Sequence, residues 1–381
     1  MHLIENDLYN KDLAAAAALD LPWEKLDGKT IVISGATGLL GSTLIDVLMK
    51  KNAESGEGAG ASMRLGCRIA ALGRSREKAE KRFAPYIGSG HFFFVPCDIN
   101  DAQGLRDALD LFFGTDGRSL KADYIFHAAS NTHPVAYAKD PIGTVVTNII
   151  GLNNLLEYAS DHGCTRFLFA SSNEIYGENR GDTELFDESY CGYIDCNTLR
   201  AGYPESKRAG EALCQAYIRQ KDLDAVIVRF TRSFGPALLR SDTKALSQFL
   251  QKGVAREDIV LKSEGKQFYS YTYAPDAVSG LLTCLMKGTC GEAYNVADER
   301  CNIALRDLAG IIAGYAGTKV VFELPDAVEA AGYSKATKAL LDSSKLKALG
   351  WQAQFDMKSA LAHTIEILRQ TQEPADGSCG V

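Results

Sequence analysis

One short stretch limits the possible folds of this chain more than any other. Thr30-Ile31-Val32-Ile33-Ser34 is a β-branched apolar run of the kind buried on both faces of a sheet. It leads into Gly35-Ala36-Thr37-Gly38-Leu39-Leu40-Gly41, and a helical pattern then continues through Lys50. Glycines spaced Gly-x-x-Gly-x-x-Gly between a strand and a helix serve three steric needs. One permits a tight turn, one lets the backbone approach a pyrophosphate, and one lets the helix pack close to the strand. The helix N-terminus behind them offers unpaired N–H groups and the positive end of its dipole to phosphate.

The strand-then-helix unit repeats. Runs at 68–72, 92–95, 123–126, 166–170 and 225–229 read as strands. Helical stretches at 75–83, 101–113 and 141–162, and from Tyr203 onward, fall between them. Alternation of this kind predicts an α/β fold, a Rossmann-type doubly wound parallel sheet with right-handed crossovers. Beyond about residue 235 the alternation loosens into short strands (258–262, 267–273, 293–297, 319–323) and helices (276–287, 305–315, 357–370), which predicts a smaller α+β C-terminal lobe for substrate. The expected division is an N-terminal extension at 1–27, a dinucleotide-binding domain at 28–235, and a lobe at 236–381 interleaved with it. Within the extension, 8–19 reads as a short helix stopped by Pro22; in the dinucleotide-binding domain, 54–62 reads as a flexible loop.

The composition fits a globular protein. Of 381 residues, 46% are hydrophobic and 23% charged, which excludes a largely disordered chain. The net charge of −7, with no Lys/Arg run, excludes an ordinary nucleic-acid binder. No stretch approaches a membrane span, and Ala14–Leu19 is too short for a signal segment, so a cytoplasmic protein is expected. The ten cysteines form no Cys-x-x-Cys pair and the six histidines have no ligand spacing beside them, so reduced thiols and no metal are expected.

Candidate chemistry gathers at the C-terminal ends of the strands, where ligands bind in such sheets. Gly73-Arg74-Ser75-Arg76 follows the second strand, where an acidic residue would hold a ribose 2′-hydroxyl. Arg74 suits a 2′-phosphate or stacking on adenine, so NAD and NADP both stay open, with the arginine leaning towards NADP. Asp98, beside Ile99 after the third strand, is placed either for the adenine amine or as the cap of the next helix. Ser171-Ser172-Asn173-Glu174 closes the fifth strand. Tyr203-Pro-Glu-Ser-Lys207 then puts a phenol and an amine on one helix face. A nearby ammonium lowers a phenol's pKa, and the resulting phenolate can take a proton from a substrate hydroxyl as hydride leaves. Ser172 is placed to hold the same hydroxyl, and Glu174 to act as a second base or to pair with an arginine.

These motifs together resemble the extended short-chain dehydrogenase/reductase family of nucleotide-sugar epimerases, dehydratases and decarboxylases, over about 28–370. Within that family the chain looks most like the UDP-glucuronate decarboxylases. The similarity runs through His127-Ala128-Ala129-Ser130, through Pro134–Tyr137 with Asp140-Pro141 and Thr147-Asn148, through Asn197–Arg208, and through Gly265–Asp276. The resemblance implies a dinucleotide held by Gly35, Thr37, Gly38, Leu39, Leu40, Gly41, Arg74, Asp98, Ile99, Ala128, Ala129, Ser130, Asn148, Tyr203 and Lys207. It implies catalysis by Ser172, Tyr203, Lys207 and Glu174. It implies a nucleotide sugar met by Ser130, Pro134, Ser172, Asn173, Glu174, Arg200, Arg232 and Tyr269. The tightly bound cofactor would oxidise carbon 4 of the sugar and be regenerated in place. A homodimer is implied through the 101–113 and 141–162 helices.

The chain departs from the family pattern at three points. Asn173 stands where dTDP-glucose dehydratases carry an aspartic acid, and an amide cannot protonate a leaving hydroxyl. Arg232 stands where the family has a substrate-touching asparagine before Phe-Gly-Pro. Phe268-Tyr269 replaces the segment in which an arginine usually meets the diphosphate after Gln267. Decarboxylation is therefore the leading reading, with 4-epimerisation and 4,6-dehydration as alternatives. From a different class, a non-catalytic dinucleotide sensor would need the glycine turn alone, so the intact Ser172, Tyr203 and Lys207 speak for an enzyme.

Overall fold

The computed structural model describes residues 1–54, 65–114, 121–132, 139–323 and 337–371. The expected loop at 54–62, apart from Glu54, and Pro134 with its neighbours lie outside the described residues.

Seven strands form the main sheet: β1 (Thr30–Ser34), β2 (Arg68–Gly73), β3 (Phe92–Pro96), β4 (Tyr124–His127), β5 (Arg166–Ser172), β6 (Ala225–Phe230) and, after three strands of the smaller lobe, β10 (Ala293–Val296). Their order is β10-β6-β5-β4-β1-β2-β3 and every pairing is parallel. The order reverses direction between β1 and β4, so the crevice outside their C-terminal ends is the topological switch point. Burial explains the unbroken apolar runs: β1 and β6 are buried along their whole length.

The helices in chain order are α1 (Asp7–Ala17), α2 (Leu39–Glu54), α3 (Arg76–Phe83), α4 (Ala102–Gly114), α5 (Pro141–Val146), α6 (Leu152–Asp161), α7 (Gly202–Lys221), α8 (Ala245–Ala255), α9 (Ala274–Lys287), α10 (Leu305–Ala316), α11 (Ser344–Lys347) and α12 (Met357–Thr371). The stretch expected as one helix over 141–162 is divided by a π turn at Thr147–Gly151. This turn carries the fully buried Asn148, whose Nδ2 donates to Ser206 Oγ at 2.8 Å. Wide turns of this type occur mostly at functional sites.

A four-stranded second sheet is centred on β9 (Phe268–Tyr273). β7 (Arg232–Phe234) and β13 (Lys338–Ala339) pair with it in parallel, and β11 (Asn302–Ala304) runs antiparallel. β8 (Ile259–Leu261) and β12 (Val320–Phe322) make a separate pair. This lobe has its own core, including Tyr176, Phe186, Phe234, Tyr269, Tyr271 and Leu361. Two of its neighbours belong to the large layer: α9 packs on α2 and β6, and β10 extends the main sheet.

The first 27 residues pack against the body. Asn6 caps α1 by accepting from Tyr9 N–H at 2.9 Å. The Tyr9 hydroxyl donates to Asp46 of α2 at 2.7 Å. Asp12 accepts from Tyr273 at 2.7 Å and meets His363 Nδ1 at 2.9 Å, which ties α1 to α12 as well. The nine cysteines among the described residues are free thiols, and Cys67, Cys214, Cys284 and Cys301 are buried.

Candidate active site

The glycine turn is a cradle with no room for a side chain at Gly35 or Gly41. Gly35 has φ +71°, and a Cβ there would lie 2.7 Å from the backbone of Ala128 and Ala129. A Cβ on Gly41 would lie 2.4 Å from the Gly35 carbonyl oxygen. Both contacts are with backbone, which cannot swing aside. Ser34, the last residue of β1, ties the turn to the end of β4: its Oγ contacts His127 Nδ1 at 2.7 Å and accepts from Ala128 N–H at 3.2 Å. Thr37, Leu39 and Leu40 line the turn half-buried, and Ile99 is buried beyond β3. Ser130 follows the β4 end, with its Oγ donating to the Asn131 carbonyl at 3.2 Å.

At the adenine end expected from sequence, Arg74 is 79% exposed and its Nη1 lies 4.0 Å from Asp98 Oδ2. Such an exposed pair contributes little to stability. Asp98 does not cap α4, which corrects that reading. Its Oδ1 accepts from Asn100 N–H at 3.0 Å, and Asp101 provides the cap, accepting from Gly104 N–H at 3.0 Å. The signal for this was present in sequence: Asp101 stands directly before the first helical residue, which is the N-cap place.

The chemical end of the site is continuous with the cradle. His127 is fully buried, and its ring stacks on Phe169 with centroids 6.0 Å apart. Burial, reinforced by the Lys207 charge, pushes the imidazole down to about 3, so His127 is neutral at physiological pH. The Lys207 ammonium lies 4.8 Å from the Phe169 ring centroid and 6.0 Å from that of Tyr203, and it donates to the Ala170 carbonyl at 2.9 Å. Burial lowers Lys207 to about 7, against weaker upward pulls from Cys214 and Glu211. Tyr203, on the first turn of α7, is nearly buried. Ser172 ends β5, and its Oγ accepts from Glu174 N–H at 3.2 Å, which fixes the turn that carries Asn173 and Glu174. Glu174 faces Arg200, Oε1 to Nη2 at 3.9 Å. Arg232 and Tyr269 lie together, with the guanidinium 3.6 Å from the ring centroid.

The fit to a dinucleotide rests on this cradle and on two buried atoms without a protein partner, Nε2 of His127 and Oδ1 of Asn148. The profile of the NAD dependent epimerase/dehydratase family matches residues 31–297, about seven-tenths of the chain. The protein belongs to this family. The match starts within β1 and ends just after β10, so it takes in the glycine cradle, the tyrosine–lysine helix and all of the seven-stranded sheet but Thr30. Among named relatives, the chain is 26% identical over 349 residues to UDP-glucuronic acid decarboxylase 1 of Xenopus tropicalis, covering 91% of this chain and 74% of that one. It is 24% identical over 347 residues to UDP-glucuronic acid decarboxylase 2 of Arabidopsis thaliana, covering 91% and 69%. Among solved structures, a UDP-glucose 4-epimerase of Thermotoga maritima, in a structure with UDP-glucose, superposes with TM-score 0.73 at 22% identity, covering 90% of this chain and all of that one. A dTDP-glucose 4,6-dehydratase of Streptomyces venezuelae, with NAD bound, gives 0.71 at 22% identity, covering 90% and 97%. At these identities the structures share the fold.

Sequence reasoning passed over one part of this family member's site. Glu211 accepts from Ser171 Oγ at 2.5 Å and grips Arg229 with both carboxylate oxygens, at 3.0 and 2.7 Å. Arg229 also donates to the Tyr176 hydroxyl at 2.9 Å. This network braces the residue before Ser172 against the helix that carries Lys207. The signal was the spacing itself, because Tyr203, Lys207 and Glu211 recur every four residues on one helix face.

Proposed function

We propose that this protein binds NAD and a nucleotide sugar, oxidises the sugar transiently at carbon 4, and decarboxylates a UDP-uronate. The observation that carries this reading is the convergence of Ser172, Tyr203 and Lys207 at the end of β5, next to a cradle that admits no side chain at Gly35 or Gly41. The decarboxylase names of relatives aligned over 91% of the chain support the choice of reaction. The family description supports NAD over NADP.

The cradle and the Ala128–Ser130 segment after β4 would hold NAD, which when bound would supply reversible hydride acceptance at carbon 4. The protein's own work is proton management. Ser172 Oγ orients the 4-hydroxyl and the Tyr203 phenolate removes its proton. Lys207, buried beside Tyr203, favours the phenolate while it is charged. The resulting 4-ketone makes the carbon 6 carboxylate that of a β-keto acid. The C5–C6 bond breaks to release carbon dioxide, its electron pair passing into an enolate, and a proton taken from solvent and relayed by the Glu174 carboxylate returns to carbon 5. Tyr203 then gives its proton back to the 4-oxygen. Asn173 is neutral and does not protonate a leaving hydroxyl, which sets dehydration aside.

A panel of UDP-, dTDP-, GDP- and CDP-sugars with product mass detection tests the reading. UDP-glucuronate should lose the mass of carbon dioxide. Loss of water, or an isomer of unchanged mass, reassigns the protein to dehydration or epimerisation.

A homodimer is part of the proposal. Leu111 on α4 is 68% exposed and Ile142 on α5 is 77% exposed, large apolar side chains left open to solvent, and Arg106 joins α4 to Asp161 of α6 (2.7 Å). Sedimentation at micromolar concentration should give the mass of two chains, and a monomer would contradict it. No helix among the described residues is long and apolar enough to cross a membrane.

A further inference from the structure

Arg232 is a half-buried cation with one shielded, unmet bond. Its Nη1 is shielded from solvent and has no hydrogen-bond partner. Leaving a donor on a charged group unsatisfied is among the costlier arrangements a folded chain can hold, so an acceptor from outside the chain is implied. The guanidinium carbon lies over the Tyr269 ring, 3.6 Å from its centroid. Stacking engages the face of a guanidinium and leaves its in-plane N–H fork free, the geometry that matches two oxygens of an oxyanion.

The backbone fixes this arrangement. β7 runs parallel to β9 with Arg232 opposite Tyr271, so Arg232, Tyr269 and Tyr271 share one face of the small sheet. The Tyr269 phenol is pushed up by burial, with Arg232 and Arg200 pulling down and Glu174 pushing up, so these four side chains are one electrostatic neighbourhood. Glu174 is matched by Arg200. The surplus positive charge therefore rests on Arg232, inside a chain of net charge −7. Gln267, two residues before Tyr269, also leaves a buried acceptor, Oε1, without a partner.

We propose that Arg232, held face-on by Tyr269, is the oxyanion receptor of the substrate subsite and sets which anionic group the enzyme accepts there. The inference rests on the nucleotide-sugar reading above. A phosphoryl oxygen of the nucleoside diphosphate and a carboxylate on the sugar present the same chemistry to the fork, and the experiment separates them.

Calorimetric titration of the NAD-loaded protein and of Arg232→Gln and Arg232→Lys with uridine, UDP, UDP-glucose and UDP-glucuronate is the test. A phosphate receptor predicts that Arg232→Gln weakens UDP and both sugars about tenfold or more and leaves uridine unchanged. A carboxylate receptor predicts that loss for UDP-glucuronate alone. Lys should recover only part of either, because it restores charge without the fork. Thermal midpoints should stay level or rise in Arg232→Gln, since an unmet buried donor is removed. Binding of all four ligands within twofold of wild type, or a lowered midpoint that makes Arg232 structural, overturns the inference and leaves the functional reading intact. Wild-type protein that binds neither UDP sugar, nor any dTDP, GDP or CDP sugar, overturns both.

Discussion

Tyr203→Phe should lower turnover by about 10²–10⁴-fold, the usual range for removing a positioned acid–base group, while NAD content and unfolding midpoint stay at wild-type values. The change deletes one oxygen. Tyr203 is nearly buried on the first turn of α7, and the phenyl ring keeps its packing. The cradle at Gly35–Gly41 lies on a different element and does not depend on that hydroxyl. The loss should therefore fall on kcat and leave binding of cofactor and nucleotide sugar unchanged, as for an interaction made in the transition state. Near-wild-type turnover would remove Tyr203 from the mechanism.

Lys207→Met should cost at least as much activity, and it carries a second signature in stability. Burial lowers the folded-state pKa of Lys207 from 10.5 to about 7. Between these values the unfolded chain binds the proton and the folded chain does not, so this group makes stability rise with pH across that window. Below pH 7 both states are protonated and the full penalty of the buried charge is present. Methionine has no charge to bury. The mutant's stability relative to wild type should therefore be greatest near pH 6 and fall towards pH 10, by roughly a few kcal/mol. Denaturant unfolding at pH 6, 8 and 10 measures the trend. A difference independent of pH would mean that Lys207 keeps an ordinary pKa, and that burial does not tune it.

The fold was legible because its signals are local. Each strand of the parallel layer is a continuous apolar run, and β1 to β6 fall within a residue or two of their expected places. Tyr203 and Lys207 were legible because a helix converts a spacing of four into one face. Features set by contacts between distant segments were not legible. The π turn at Thr147–Gly151 turns Asn148 towards Ser206 of α7, and an apolar period does not record that bond. Residues 1–27 looked separable because their polar anchors, Asn6 and Asp12, find partners far along the chain, at Gln370, Tyr273 and His363. Arg232 and Tyr269 each read as a departure from a family pattern, and only the pairing of β7 with β9 shows that they form one unit.

The most direct test of transient oxidation at carbon 4 follows one hydrogen atom. UDP-glucuronate carrying deuterium at carbon 4 is incubated with the NAD-loaded protein, and the product is analysed by mass and by proton resonance. If Tyr203 and Ser172 serve a hydride that leaves carbon 4 and comes back to it, the product lacks carbon dioxide and keeps deuterium at carbon 4. A product whose carbon 4 has lost its deuterium to solvent, or no product from any nucleotide sugar while NAD stays bound, would contradict the assignment.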